Sequence, residues 1–172
     1  NKGIEVQLNG TPVKSKAFTW DINVNWAKNE NKLVSLHPDA KVLQLASYQG
    51  GVTLNAIEGE AYGVIRGTDY VYLDGQKVVD PNTGRYLRTA ESNHEIGNIT
   101  PDWTGGVRNT FTFGENISMG FLIDVQHGGD TFSTDMYYGL STGLYAETAV
   151  GDYRTAGLVH PGVNPNGQAN TT

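Results

Sequence analysis

Chemistry is first sought in the residues that move protons, attack carbonyls or hold metals. The four histidines, His37, His94, His127 and His160, stand at no HxH or HExxH spacing and form no metal or proton-transfer motif. There is no cysteine, which removes thiol nucleophiles, disulfide staples and cysteine-ligated zinc. No G-x-S-x-G turn is present to expose a serine nucleophile. The run Asp80-Pro81-Asn82-Thr83-Gly84 begins as a calcium loop does, with oxygen donors at Asp80 and Asn82, but Pro81 favours a plain turn. Paired carboxylates for glycoside hydrolysis would have to converge from separate strands, and no spacing points that way. The chain is therefore expected to hold no metal and no cofactor and to be no enzyme. Recognition chemistry remains. Tyr48, Tyr62, Tyr70, Tyr72, Tyr137 and Tyr138 lie in polar, glycine-rich tracts, and a flat ring with a polar tip suits stacking on sugars or on apolar peptide side chains.

The elements that position these residues follow from composition and period. The 172 residues include 22 Gly and 9 Tyr, with many Asn and Thr, which favours strands and turns over helices. The net charge is −6, and no Lys or Arg run interleaves with aromatics, so nucleic acid is not expected as a partner. The opening NKGIEVQLNG carries no basic n-region or apolar h-region, so no signal peptide is expected there. No window is apolar for the ~18 residues that a transmembrane helix needs. Such a scan is blind to barrel strands, in which apolar and polar residues alternate.

Alternation is the dominant signal. In FTWDINVNW, Phe18, Trp20, Ile22, Val24 and Trp26 fall on one side, and Thr19, Asp21, Asn23 and Asn25 on the other. Similar runs cover residues 3–13, 17–27, 103–113 and 117–127, with KSK joining the first pair and GEN the second. Asn109 and Leu122 are the two visible errors of face. At about 3.3 Å per residue and a tilt near 45°, runs of about 11 residues span about 25 Å, the height of an outer-membrane apolar band. Soluble strands are commonly about 5 or 6 residues long. Between and after the hairpins lie long tracts over 37–102 and 128–172. Within the first, YVYLDGQKVVDPNTGRYL reads as a small hairpin, turning at Asp74-Gly75 and again at Pro81–Gly84. The fold class expected is all-β and antiparallel. A soluble, secreted carbohydrate-binding β-sandwich gives the same alternation and stays open as the alternative, with a secreted hydrolase behind it.

Three blocks carry a resemblance. NKGIEVQLNGTPVKSKAFTWDINVNWAKNENKLVSL, EGEAYGVIRGTDY and GNITPDWTGGVRNTFTFGENISMGFLIDVQHGGDTFS, in that order, resemble the SusC/RagA-like, TonB-linked outer-membrane transporters of the Bacteroidetes. The resemblance implies a transmembrane β-barrel of about 22 strands around an N-terminal plug. It also implies an outer-membrane location, energy delivered through TonB, and a SusD-like surface lipoprotein as a lid for importing oligosaccharides or peptides. No TonB box or plug is found here, so the chain reads as an internal part of such a barrel, with about four long strands and two extracellular loops. On that reading Glu5, Asp21, Asn23, Asn25, Arg108 and Asp124 line the lumen. Phe18, Trp20, Ile22, Val24, Trp26, Phe111 and Phe113 face outer-membrane lipid, the aromatics forming interfacial girdles.

Overall fold

The alternating runs are rich in Val, Ile, Phe, Trp and Thr, residues that suit a pleated, half-buried surface. In the computed structural model, which describes residues 1–172, they become long strands. In chain order the strands are β1 (Lys2–Lys14), β2 (Phe18–Glu30), β3 (Val42–Ser47), β4 (Thr53–Ile57), β5 (Val64–Gly67), β6 (Tyr72–Leu73), β7 (Gln76–Lys77), β8 (His94–Asn98), β9 (Trp103–Phe113) and β10 (Ile117–His127). Two helices follow, α1 (Thr134–Thr142) and α2 (Tyr153–Ala156). The chain is all-β in class, built of antiparallel sheets. The sheet orders are β1–β2–β9–β10, β3–β4–β5–β8 and β6–β7.

The chain divides into two compact units, the first made of residues 1–43, 56–64 and 97–130 and the second of 44–55, 65–96 and 131–172. In the first, β1 and β10 are the sheet's two edges, and β2 pairs with β9 although they are distant in sequence. The register aligns Leu8, Val24, Val107 and Ile123 across one row, and Asn9, Asn23, Arg108 and Leu122 across the next. Between Gly10 and Val13 the β1 register shifts, so that Thr11 and Pro12 together face Asp21. Proline lacks the N–H a ladder needs, and a bulge on an edge strand is where a sheet tolerates one.

One end of this sheet carries only short turns. Ser15 N–H donates to Phe18 O at 2.8 Å, its hydroxyl accepts from Phe18 N–H at 3.0 Å, and Gly114 N–H of the other turn donates to Ala17 O at 2.9 Å. The longer connections leave from the opposite end, where Ala27 pairs with Thr104 and His127 with Trp103. There Asn31 Oδ1 accepts from Tyr62 N–H at 2.5 Å, and the Asp130 carboxylate accepts from Asn98 N–H at 2.9 Å.

In the second unit Val52, Ile65, Val78, Val79 and Val163 are buried. Asp74 and Gly75 both take positive φ, the backbone of the tight turn that suits a twisted hairpin, here joining β6 to β7. Asp80 to Gly84 make the next turn, with Gly84 N–H donating to Asp80 O at 2.8 Å. Residues 162–163 then lie along this hairpin: Val163 N–H donates to Lys77 O at 3.0 Å and Val79 N–H to Val163 O at 2.8 Å. The tracts around 37–102 and 128–172, expected as loops, thus hold six short strands and two helices. Their strands run at most six residues, too short for period-2 alternation to stand out.

Candidate functional site

Strand pleating sends alternate side chains to opposite faces, so the long sheet has two chemistries. Glu5, Asp21, Asn23, Asn25, Arg108 and Asp124 all lie on the polar face by register. Asn9, Gly10, Thr11, Asp21, Ile22, Asn23, Arg108 and Thr110 line an open depression of about 450 Å³. Its side chains are partly bound to one another. Thr11 donates its hydroxyl to Asp21 Oδ1 at 2.6 Å, and Asn23 Nδ2 donates to Asn9 Oδ1 across the strand pair. Gly106 leaves a gap here: an added Cβ would lie 2.7 Å from Asn25 Oδ1 and 3.3 Å from Asp124 Oδ1, so those side-chain ends would have to shift. Arg108 stays exposed in this row, opposite Asn23 and Leu122. The depression therefore presents one guanidinium among amides, hydroxyls and a carboxylate, groups that bind hydroxyl-bearing or anionic ligands through many weak contacts.

The other face is apolar. Ile4, Val6 and Leu8 of β1 join Phe18, Trp20, Ile22, Val24 and Trp26 of β2, Val107, Phe111 and Phe113 of β9, and Ile117, Met119, Phe121, Ile123 and Val125 of β10. Phe18, Trp20, Phe111 and Phe113 gather toward the short turns, with ring centroids 5.2–6.2 Å apart. Trp26 lies toward the other end, where Trp103 stacks on His127 at 5.3 Å. Leu8 is 65% exposed, Ile117 64% and Ile123 55%. In a β-sandwich such side chains would be buried against a second sheet. Away from the strand ends, where Lys2, Lys28, Glu30 and His127 share this face, Asn109 is polar among apolar neighbours and is nearly buried, accepting a hydrogen bond from the Trp20 indole N–H at 3.0 Å. What reads in sequence as an error of face is a satisfied pair. Leu122, the other error, stands 52% exposed on the polar face, and nothing in the structure explains it.

The six tyrosines do not form one site. Tyr48 lies beside Phe132 at 5.6 Å, Phe132 beside Tyr137 at 6.2 Å, and Tyr138 meets Tyr137 edge-on at 5.2 Å. Tyr70 belongs to a separate group with Tyr86, and the Lys77 ammonium lies 3.9 Å above the Tyr70 ring, occupying a face that a ligand would need. Tyr72 is exposed opposite Lys77 on the short hairpin, and Tyr62 belongs to the other unit. The Asp80 carboxylate is committed to its turn: Oδ1 accepts from the Asn82 N–H at 2.9 Å and Oδ2 from the Thr83 hydroxyl at 3.0 Å. These bonds, the Asn82 N–H foremost, hold the Asp80 carboxyl below its ordinary pKa. A further cleft, between α1 and α2, contains none of the residues singled out from the sequence. Its signal was local: a capping Ser133 and a terminating Gly143 around a run with no clear apolar period.

No family model matches the chain. It is similar to "TonB-dependent receptor P3" of Formosa agariphila, 30% identical over 152 residues, which takes in 76% of this chain. The chain spans about 15% of the length of that relative.

Proposed function

We propose that this chain is a wall-and-loop segment of a TonB-dependent outer-membrane receptor of the SusC/RagA type. The observation that carries the reading is the long sheet, with strands of 11–13 residues, two short turns at one end, long connections at the other, and an exposed apolar face opposite a polar one. Both edges, β1 and β10, are long and carry no partner strand in this chain. Long apolar edges invite aggregation unless a neighbour pairs with them, and closing a barrel supplies that neighbour. The likeness to a TonB-dependent receptor supports the same reading. On it, the apolar face meets outer-membrane lipid and the Asn23–Arg108 face meets the lumen.

The cargo is an oligosaccharide or a peptide, captured with a SusD-like surface lipoprotein and moved by energy from TonB. This segment makes and breaks no bond. It supplies wall, lumen lining and ligand-facing surface. The test is the full-length protein: fractionation with the outer membrane, and β-rich, heat-modifiable migration only in detergent or lipid. A product that is soluble and monodisperse without detergent would overturn the reading and favour the secreted carbohydrate-binding sandwich.

A further inference from the structure

Charge enters the apolar face of the long sheet only at the end from which the loops leave. Lys2, Lys28 and Glu30 stand on that face beyond Ile4 and Trp26, and His127 ends β10 at the same rim. At the short-turn rim the face ends on Val13, Phe18, Phe113 and Ile117, while Lys14, paired with Thr19, belongs to the polar face. Strand pairing brings the charges together, setting Lys2 opposite Glu30 and Lys28 opposite Ile4. Lys2 Nζ lies 2.8 Å from Glu30 Oε2, and Lys28 Nζ lies 3.6 Å from Glu30 Oε1, beyond hydrogen-bond length. One carboxylate therefore stands between two ammonium groups, which leaves a net positive charge and the Lys28 donors uncommitted. With Gly3 and Ile4 these side chains line an open cleft of about 280 Å³. Indoles lie beside it: Trp26 follows Lys28 down the same face, and Trp103 stands with Lys28 one step beyond the Ala27–Thr104 pair, stacked on His127 at 5.3 Å.

A lysine at the edge of an apolar surface runs its stem along that surface and lifts its ammonium into the headgroup layer. That behaviour alone needs no convergence and would serve either rim. Here two cations converge at one rim, directly above the exposed strip of Ile4, Val6 and Leu8. An amphiphile with a phosphate head matches both parts. Its oxygens accept charge-assisted hydrogen bonds from the ammonium groups, and its chains lie along the strip. Indoles at this level suit the polar–apolar boundary of a bilayer, where basic side chains attract anionic headgroups. A soluble anion would use the lysines and leave the strip unmatched.

We infer that this rim binds the phosphate headgroup of a membrane lipid in the leaflet at the loop end, with Lys28 and Lys2 as phosphate ligands and Glu30 as the counter-ion that the lipid displaces. The site rests on the transporter reading, which gives the apolar face its lipid. The test uses the full-length protein in neutral detergent as wild type, Lys28→Gln, the double variant Lys2→Gln with Lys28→Gln, and Glu30→Gln. Each is checked for heat-modifiable migration and titrated with phosphatidic acid, bound lipid being counted by native mass spectrometry. Phosphatidylcholine with the same chains and glycerol phosphate without chains are the controls. The wild type should prefer phosphatidic acid to phosphatidylcholine. Its affinity should fall about fivefold in Lys28→Gln and further in the double variant, and rise about threefold in Glu30→Gln. All these positions are exposed and the changes nearly isosteric, so folding is spared. A purely structural ion pair would gain no lipid on losing Glu30. Equal preference in all four proteins overturns the site, and so does weaker binding by Glu30→Gln. Glycerol phosphate displacing the lipid at equal concentration overturns the lipid in favour of a soluble anion. A heat-modifiable barrel without preference for phosphatidic acid loses the site and keeps the transporter reading. A protein soluble and monodisperse without detergent loses the transporter reading, and the site with it.

Discussion

The Trp20 indole N–H donates to Asn109 Oδ1 at 3.0 Å, diagonally between two strands that lie far apart in the chain. Trp20 pairs directly with Phe111, and Asn109 with Ile22. A slip of β2 against β9 by one residue would carry Trp20 to the opposite face from Asn109 and leave both polar groups unpaired on an apolar surface. The bond therefore couples register to satisfaction of a polar side chain in the middle of that face.

Replacing Asn109 with Leu should destabilise the full-length protein by about 1–3 kcal/mol, because the Trp20 N–H loses its acceptor in an apolar setting. Adding Trp20→Phe should recover part of the loss, since no donor is then stranded. Denaturant unfolding in detergent across the double-mutant cycle measures the coupling, and strict additivity would show that the bond carries no energy.

The two faces respond oppositely to charge. Val24→Arg places a cation on the apolar face and should cost about 2–4 kcal/mol if it lies near the bilayer midplane. Asn25→Arg, one residue later and on the polar face opposite Gln7 and Gly106, should assemble as the wild type does. Heat-modifiability in outer-membrane fractions distinguishes the two. A tolerated Val24→Arg would contradict lipid exposure of that face.

Gly162 approaches the hairpin backbone at φ 150°, and an alanine Cβ there would lie 2.3 Å from Lys77 O. Gly162→Ala should push residues 162–163 off the hairpin at a cost of about 1–3 kcal/mol. Hydrogen exchange at the Val79 and Val163 amides, which hold that contact, should accelerate while the amides of β2 and β9 are unaffected.

The Asp80 turn should depend on pH with a definite sign. Its carboxyl is held below the ordinary value by the Asn82 amide, so the folded state binds this proton more weakly than the unfolded chain. The turn's extra stability is present above about pH 4, the unfolded pKa, and is lost as pH falls through the lowered folded value. Exchange of the Gly84 amide, which donates to Asp80 O, should speed up in that range in the wild type but show no such step in Asp80→Asn.

How much of this was legible in the sequence varies with the range of the interactions involved. The alternation of Phe18 to Trp26 is written residue by residue, because the pleat has a period of two and each side chain's polarity names its face. The same logic made the hairpin at Asp74-Gly75 readable, since a tight turn demands positive φ from residues that tolerate it. Asn109 was visible only as an exception. Nothing near it in the chain names Trp20, and the reason for the exception exists only once β2 lies against β9.

The sequence by itself determined the all-β class, the two chemistries of the long strands and the turn residues that end them. Tertiary structure alone decided that β2 pairs with β9, that Val163 returns to the 77–79 hairpin, and that Arg154 ties Gly143 to Thr148 around a cleft. The physical reason is distance along the chain. Periodicity and turn conformation are local energies that each residue expresses wherever it sits. A pairing between distant segments is a difference among many possible closures, and it is selected only when all the buried faces and hydrogen bonds are satisfied together.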